Sequence, residues 1–301
     1  MGRKEWSAGI ELRRHPDGFL QIWPRPSADA LAQYYNDKYF GANHGRTSYG
    51  HQYKAEELEH KRLSAEEALH VLRRNAAPRR MLDVGCGEGF MMDGFAQAGW
   101  DVRGLDFTSD GIDAQLPRLR PYLTTGDLFE LLAREVEYAP GSYGFVNCTN
   151  VLEHVLEPER LARSLHGLLA LEGMCRIQVP NDGSWLQALA ASKSGMDEDF
   201  WVAYPDHLSY FTKPSLERFL TRCGWRVVAL LADFPVDLYL LHPRSCYTPG
   251  SPEGRPAHFA RVAFELGLRR QGLDELVAFR SGCAAAGVGR NLIAYVTSEV
   301  C

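Results

Sequence analysis

A glycine-rich turn near residue 85 is the first feature that could do chemistry. It occupies residues 82–90, LDVGCGEGF, directly after a short apolar run. Its glycines let the backbone approach a ligand closely, and the N–H groups at the start of the following helix face an anion. The turn therefore predicts a site for a nucleotide-type ligand, with a purely structural turn as the alternative.

A carboxylate at the end of the next apolar run, Asp106 in GLDF, adds a second contact for such a ligand. An acidic side chain there can accept both hydroxyl hydrogens of a ribose, as in dinucleotide-binding proteins, whose turn usually follows the spacing Gly-x-Gly-x-x-Gly. Here the spacing differs, and Asp83 stands where it would repel a pyrophosphate and would suit the ammonium of a methionine moiety. The charge pattern favours S-adenosylmethionine as cofactor and S-adenosylhomocysteine as product.

A third contact is predicted at the segment 125–129, TGDLF. Asp127 can accept from the exocyclic amine of adenine, and Leu128 offers the base an apolar contact. The alternative is that Asp127 only caps the helix that follows, since Asp is a favoured N-cap residue. With neighbours in the same motifs, the predicted cofactor-binding residues are Asp83, Gly85, Cys86, Gly87, Asp106, Phe107, Asp127, Leu128 and Asn150.

Short apolar runs that alternate with amphipathic segments must position these residues. Such an alternation predicts an α/β, Rossmann-like fold with a mostly parallel sheet and helices on both faces. Strands are expected at 80–84, 102–106, 122–125, 143–148, 174–179, 225–231 and 291–297, and helices at 53–75, 90–98, 109–116, 128–136, 158–170 and 214–223.

The remaining segments predict additions to this core. Residues 1–52 form an N-terminal extension, with a small hairpin expected within 14–26. The core spans 53–233 and includes a lid at 183–213. Residues 234–289 are predicted to be a helical cap insertion, and 290–301 supply the last strand of the core.

Composition excludes several classes of partner. A net charge of −5 and a pI near 6.1 offer no field for a polyanion, so no nucleic-acid partner is expected. Basic pairs such as Lys61–Arg62 are interpreted as solvated helix faces. No apolar run reaches the roughly 18 residues of a membrane span, and the start of the chain does not resemble a signal peptide, so a cytoplasmic location is predicted.

Cysteine and histidine spacing argues against a metal site. The seven cysteines form no Cys-x-x-Cys pair, so neither a zinc knuckle nor a disulfide framework is expected. His44, His51, His60 and His70 lack the His-Glu-x-x-His arrangement. We therefore predict no metal.

Four motifs in consecutive order carry a family resemblance. LDVGCGEG at 82–89, GLD at 104–106, NVLEHV at 150–155 and the stretch from GLL at 167–169 to VPN at 179–181 resemble class I S-adenosylmethionine-dependent methyltransferases of the ubiquinone-methyltransferase-like group. The resemblance covers about residues 79–182. It implies a seven-stranded sheet whose last strand is antiparallel.

Weaker similarities extend beyond that stretch. DHLSYFT at 206–212 is similar to the group's His-Leu-x-x-Phe-Thr segment, and GVGRNL at 287–292 resembles the start of the final strand in bacterial members. Residues 24–40 are similar to the segment that follows a zinc knuckle in some relatives. The knuckle's cysteines are absent here.

Methyl transfer from a sulfonium is an in-line displacement, so positioning of the acceptor does much of the work. A hydroxyl acceptor must also lose a proton, which a histidine can take. The aromatic-rich lid makes His207 the first choice for this base, with loop anchoring as its alternative. His154 is the second choice, although a structural role in its loop is favoured for it.

The acceptor is predicted to be a hydroxyl of a small molecule or of a sugar or glycan, as in natural-product or polysaccharide biosynthesis. Buried polar acceptors need polar partners. An N- or C-methyltransferase, or a non-catalytic protein that retains the fold, is the alternative. The predicted substrate-binding residues are Tyr204, Tyr210, Asp237, Arg290 and Asn291.

Overall fold

A computed structural model describes residues 9–31, 33–34, 52–73, 76–242, 245 and 252–298. Ten strands are named within these ranges. They are β1 (Glu11–Arg14), β2 (Leu20–Trp23), β3 (Arg80–Val84), β4 (Asp101–Asp106), β5 (Leu123–Thr125), β6 (Tyr143–Thr149), β7 (Leu169–Pro180), β8 (Ser209–Tyr210), β9 (Trp225–Ala232) and β10 (Asn291–Ser298).

The helices alternate with these strands along the core, close to where the sequence pattern predicts them. Short 3₁₀ helices occupy Pro117–Tyr122 and Val236–Leu241. The α-helices are α1 (Ala55–Leu72), α2 (Phe90–Gln97), α3 (Asp110–Gln115), α4 (Leu128–Tyr138), α5 (Pro158–Leu168), α6 (Trp185–Ser194), α7 (Lys213–Arg222), α8 (Gly254–Gln271) and α9 (Leu273–Ala286).

Seven strands form the main sheet in the order β5-β4-β3-β6-β7-β10-β9. The strands from β5 to β7 pair in parallel, whereas β10 runs antiparallel to both of its neighbours. This topology confirms the predicted α/β, Rossmann-like fold with its seven-stranded, mostly parallel sheet.

Both faces of the sheet are covered, which explains why the central strands are continuous apolar runs. On one face, α1 and α2 pack through Ala68 and Phe95 against Phe145 of β6. On the other, α4, α5 and α7 bury Leu132, Leu165 and a neighbouring apolar set against β6 and β7. The carboxyl ends of the parallel strands remain open for a ligand.

A second, three-stranded sheet joins the N-terminal extension to the predicted lid. β1 and β2 form an antiparallel hairpin, and β2 also pairs with β8. Phe19, in the hairpin turn, stacks on Phe211 with ring centroids 4.6 Å apart. The hairpin exists, but it begins at Glu11 rather than within 14–26, because its first strand is mostly polar and lacks an apolar signal.

The predicted insertion contains α8 and α9. These helices contact each other and α1, and α9 also packs on the edge strand β9. They thereby extend the helical layer that covers this face of the sheet. The proposed division of the chain into extension, core, lid and cap remains a prediction.

None of the helices in the described ranges is both long enough and apolar enough to serve as a membrane span. Five of the cysteines, all buried, are free thiols: Cys86, Cys148, Cys175, Cys223 and Cys283.

Candidate active site

A cavity of about 930 Å³ opens at the carboxyl ends of β3, β4 and β6. This edge is where open α/β sheets bind ligands. The fold brings all nine predicted cofactor-binding residues into its lining: Asp83, Gly85, Cys86, Gly87, Asp106, Phe107, Asp127, Leu128 and Asn150. Their contacts with a cofactor remain a prediction.

The glycine turn is built so that side chains are excluded. Gly85 has a φ of +71°, and a Cβ there would lie 2.4 Å from Cγ2 of Val151. Positive φ favours glycine because other residues then clash with their own backbone. Gly111, at the start of α3, is equally constrained, since its Cβ would lie 2.4 Å from the carbonyl oxygen of Gly87. The turn is therefore held closely from two sides.

Asp106 anchors the turn through its carboxylate. Oδ2 accepts a hydrogen bond from the backbone N–H of Gly87 at 2.8 Å, and Oδ1 accepts from that of Thr108 at 3.2 Å. Burial raises the pKa of Asp106, and these backbone donors oppose the rise. The residue predicted to bind a ribose thus also fixes the turn's shape.

Asp83 is buried beside the turn. Its Oδ1 accepts from Nδ2 of Asn147 at 2.6 Å. Burial raises its pKa to about 7, Asn147 opposes the rise, and nearby Asp106 adds to it. A carboxylate in this setting gains from an ammonium partner, because a buried charge is costly without one. Asn147 itself lines the cavity and was missed by the sequence analysis, although a polar residue within an apolar strand was a usable signal.

Asp127 caps α4, so capping is one role of its carboxylate. One carboxylate oxygen, Oδ1, accepts from the N–H groups of Phe129 and Glu130 at 2.9 and 3.0 Å. Capping uses a single oxygen of the carboxylate. The predicted contact with adenine is geometrically compatible with the cap.

Helix α1 contributes Lys61 to the cavity, although the charge pattern predicted a solvated helix face there. Lys61 lines the cavity, and its Nζ lies 2.6 Å from Oε2 of Glu88 in the glycine turn. The other oxygen of Glu88 accepts from the hydroxyl of Tyr53 at 2.6 Å. The interpretation of Lys61 as part of a solvated face was wrong, because local charge pattern cannot show that α1 docks on a turn 27 residues away.

His154 lies in the cavity wall at the end of β6. Its Nδ1 is 2.6 Å from the backbone oxygen of Asp206. A carbonyl oxygen can only accept, so Nδ1 carries the proton, and in the neutral ring Nε2 holds the lone pair. Nε2 lies 3.8 Å from Oε1 of Glu153. The lone pair on Nε2 is what His154 needs in order to act as a general base.

Glu153 lies behind His154 with 1% exposure. Among the residues that the structure describes, neither of its carboxylate oxygens has a hydrogen-bond partner. Burial raises its pKa to about 8, and the negative charge of Asp182 contributes. Near neutral pH the side chain therefore tends to hold a proton.

His207 packs on His154 and does not belong to the cavity lining. The two rings meet edge to face with centroids 4.8 Å apart. Nδ1 of His207 lies 3.7 Å from Oδ2 of Asp182, which is longer than a hydrogen bond. Burial raises the pKa of Asp182, while Arg290 and His207 lower it to a net value below the ordinary one.

The five predicted substrate-binding residues lie outside the cavity lining. Three of them are engaged within the protein: Arg290 donates to Asp182, Asn291 donates to Asp233, and the Tyr210 hydroxyl donates to the backbone oxygen of His207. Their contact with substrate remains a prediction, as it does for the partly buried Tyr204 and the buried Asp237.

The fold also assembles a possible ligand set for a metal that the spacing of histidines could not reveal. Ligand atoms of Glu153, His154 and His207 lie within 4.8 Å of one another. These side chains come from two separate segments of the chain, so no local sequence motif could predict the cluster. The absence of a metal remains a prediction.

Sheet order, glycine turn and carboxylate positions together define a class I S-adenosylmethionine-dependent methyltransferase fold. The model of the methyltransferase domain family matches residues 51–230, and the chain belongs to this family. Two solved structures share its fold. One, a SAM-dependent methyltransferase from Archaeoglobus fulgidus, has a TM-score of 0.50 and 16% identity over 89% of this chain and 99% of that one.

The second solved structure is the 1,6-didemethyltoxoflavin-N1-methyltransferase of Burkholderia thailandensis with bound 1,6-didemethyltoxoflavin and S-adenosylhomocysteine. It has a TM-score of 0.53 and 13% identity over 97% of each chain. At such identities these structures bear on the fold alone.

Curated relatives match through part of their length. The ubiquinone biosynthesis O-methyltransferase of Pectobacterium carotovorum is 28% identical over 118 residues, which are 38% of this chain and 49% of the relative. The enzyme of the same name from Bordetella avium is 38% identical over 95 residues, 30% of this chain and 38% of the relative. The chain thus spans about half or less of the length of these relatives.

Proposed function

We propose that this chain transfers the methyl group of S-adenosylmethionine to a hydroxyl of a small molecule or of a sugar or glycan. The observation that carries the proposal is His154, in the cavity wall, with Nδ1 bound to the Asp206 carbonyl. That contact leaves Nε2 as the basic nitrogen of a histidine that lines the cavity. A hydroxyl needs such a base when it attacks, since its own proton must leave.

In this proposal Asp83, Asp106 and the cap of α4 would hold the cofactor, which when bound would supply the electrophilic methyl group. Asp83 would receive the ammonium and Asp106 the ribose. His154 would take the proton from the acceptor hydroxyl as its oxygen attacks the methyl group. Glu153 tends to hold a proton, and its Oε1 lies 3.8 Å from Nε2 of His154. Its protonation state should therefore affect the stability of the imidazolium that forms on His154.

The same geometry changes the order of the two candidate bases. The sequence favoured His207, but His154 is the histidine that reaches the cavity, while His207 supports its ring. We therefore propose His154 as the base and His207 as a residue that positions it.

The test uses matched acceptors that differ by one atom: a catechol and its aminophenol, and a sugar and its amino sugar. Formation of S-adenosylhomocysteine is measured for the full chain and for His154→Gln. We expect turnover of hydroxyl acceptors, with a kcat about 10³-fold lower in the variant, within the usual range for a lost general base. The Kd for S-adenosylmethionine should change less than about twofold.

Exclusive turnover of the amine analogues, with full activity of His154→Gln, would replace this proposal with N-methylation. Binding of the cofactor without turnover of any acceptor class would favour a non-catalytic role. His166→Gln is the matched control, because this half-buried histidine packs on Trp225 away from the cavity.

A further inference from the structure

Four polar side chains form a row across the centre of the main sheet. Asp83 of β3, Asn147 of β6, Arg176 of β7 and Tyr295 of β10 are direct neighbours in the strand registers. Each is at most 2% exposed. An arginine in the middle of a buried strand is unusual, because an unpaired charge there is expensive. Its partners therefore indicate what it does.

Arg176 donates toward the cofactor cavity from both terminal nitrogens. Nη1 lies 3.1 Å from Oδ1 of Asn147 and 2.7 Å from Oγ1 of Thr149, and Nη2 lies 2.7 Å from Oε1 of Gln178. Thr149 and Gln178, like Asn147, line the cavity. The guanidinium thus sets the orientation of three side chains on one wall.

The contact with Asn147 has a further consequence. A guanidinium can only donate, so it must face the amide oxygen of Asn147. The amide nitrogen then points the other way, and Nδ2 donates to Oδ1 of Asp83 at 2.6 Å. Without the arginine, the amide could turn its oxygen toward the carboxylate, which would place two acceptors together.

We propose that Arg176 is a positioning residue for the methionine end of the cofactor. It fixes the Asn147 amide so that its NH₂ group holds Asp83, and its positive charge stabilises the carboxylate that receives the cofactor's ammonium. The inference rests on the proposed binding of the cofactor at Asp83. It adds a residue that lies outside the cavity lining.

The charge of Arg176 is not duplicated by the arginine of the helical layer. Arg280 of α9 is paired at 2.6 Å with Glu67 and with Glu265. The hydroxyl of Tyr295 donates to Glu67 at 2.8 Å, so the row also contacts this cluster. Of the charged groups that act on Asp83, Asp106 raises its pKa and Arg176 lowers it.

The experiment compares S-adenosylmethionine with 5′-methylthioadenosine, which lacks the amino-acid portion. Calorimetry on the full chain, Arg176→Met and Arg176→Lys gives the Kd of each ligand at several values between pH 6 and 8. We expect Arg176→Met to weaken S-adenosylmethionine binding about tenfold, the equivalent of one pKa unit. Binding of methylthioadenosine should change less than about twofold.

The pH profile separates this role from a purely structural one. Asp83, with Asp106, Arg176 and the buried thiols Cys86 and Cys148 around it, binds the ammonium only when ionised. Loss of Arg176 removes a group that lowers the pKa of Asp83. As the pH is lowered, affinity for S-adenosylmethionine should therefore begin to fall at a higher pH than in the parent chain. Arg176→Lys keeps the charge and should retain the parent pH profile with a weaker affinity.

Arg226→Met is the matched control, because this arginine lies exposed on the edge strand β9 and its loss should leave both affinities unchanged. Asn147→Ala should weaken S-adenosylmethionine selectively, and Arg176→Met should add little in that background. Should Arg176→Met fail to fold, Arg176→Lys and Asn147→Ala decide the question through the ratio of the two affinities.

Equal weakening of both ligands by these variants would show a structural role and overturn the inference. So would an unchanged ratio in Arg176→Met while Asp83→Asn weakens S-adenosylmethionine alone; the proposed function would then stand. If Asp83→Asn leaves S-adenosylmethionine binding intact, the proposed cofactor orientation itself is wrong.

Discussion

Two neighbouring regions differ in how their buried polar atoms are satisfied: the cofactor end of the cavity, and the acceptor end, which is the buried cluster of Glu153, Asp182 and His207 beside His154. At the cofactor end, Asp83 accepts from Asn147, and Asp106 accepts from Gly87 and Thr108. At the acceptor end, both oxygens of Glu153, Oδ2 of Asp182 and Nδ1 of His207 have no hydrogen-bond partner among the residues that the structure describes. An unsatisfied buried polar atom costs about 1–3 kcal/mol.

The two carboxylates of the cofactor end are held by donors of the protein, whereas Glu153 at the acceptor end has no such donor and a proton on its carboxyl group lowers the cost of its burial. Preorganised donors and acceptors bind without a cost of rearrangement. Perturbation of the first end should therefore disrupt binding, and perturbation of the second should alter stability and its pH dependence.

The largest effect is expected at the cofactor end. Asp106→Ala should weaken S-adenosylmethionine binding about 100-fold, or roughly 2.7 kcal/mol, because it removes the ribose contact and leaves the Gly87 N–H without its acceptor. Calorimetry measures the change. Asp101→Ala, at the exposed opposite end of β4, is the control. Equal affinities in all three proteins would show that this end is not where the cofactor binds.

At the acceptor end, Glu153→Gln should change the pH dependence of stability. The folded-state pKa of Glu153 is about 8, above its ordinary 4.5, so the folded chain holds a proton that the unfolded chain releases. The free energy of unfolding therefore falls as pH rises from about 4.5 to 8. Glutamine cannot ionise, so we expect the variant to gain roughly 4 kcal/mol over the parent chain by pH 8.

Urea denaturation at pH 5, 6.5 and 8 measures this gain. Glu130→Gln, on the exposed face of α4, is a control that should leave the profile unchanged. Parallel profiles for Glu153→Gln and the parent chain would mean that Glu153 is already paired, and the contrast between the two ends would disappear.

The smallest effect concerns the docking of α1 on the glycine turn. Lys61→Met removes the ion pair with Glu88 and should weaken cofactor binding about threefold, since a partly exposed pair contributes about 0.2–1 kcal/mol. Arg62→Met changes the exposed neighbour on the same helix and serves as control. A loss as large as that in Asp106→Ala would mean that Lys61 contacts the cofactor directly.

Local sequence brought together nine residues that the structure places in the cavity lining, for a physical reason. Asp83, the glycine turn and Asp106 each follow an apolar run, and parallel strands place their carboxyl ends at one edge. Whatever the order of the parallel strands, residues at their carboxyl ends lie at the same edge of the sheet. Asp127 showed the limit of such reasoning, because the same residue type serves as both cap and predicted ligand contact.

The roles of residues inside strands or on distant helices could not be predicted in this way. In the sequence, Arg176 is a single charged residue in an apolar run. Its partner Asn147 is known only from the strand register that places the two side by side. Lys61 belongs to a helix whose docking depends on long-range packing. Neither position carries a local motif.

By itself, the sequence determined the fold, the order of its core strands and helices and the sheet edge at which the cavity opens, because periodicity and strand-end motifs are local properties. The tertiary structure alone decided which histidine lies in the cavity wall, since His154 and His207 belong to segments that meet only after folding. It also decided that Arg290, Asn291 and Tyr210 bond within the protein. Side-chain direction depends on packing between distant elements, which spacing along the chain does not encode.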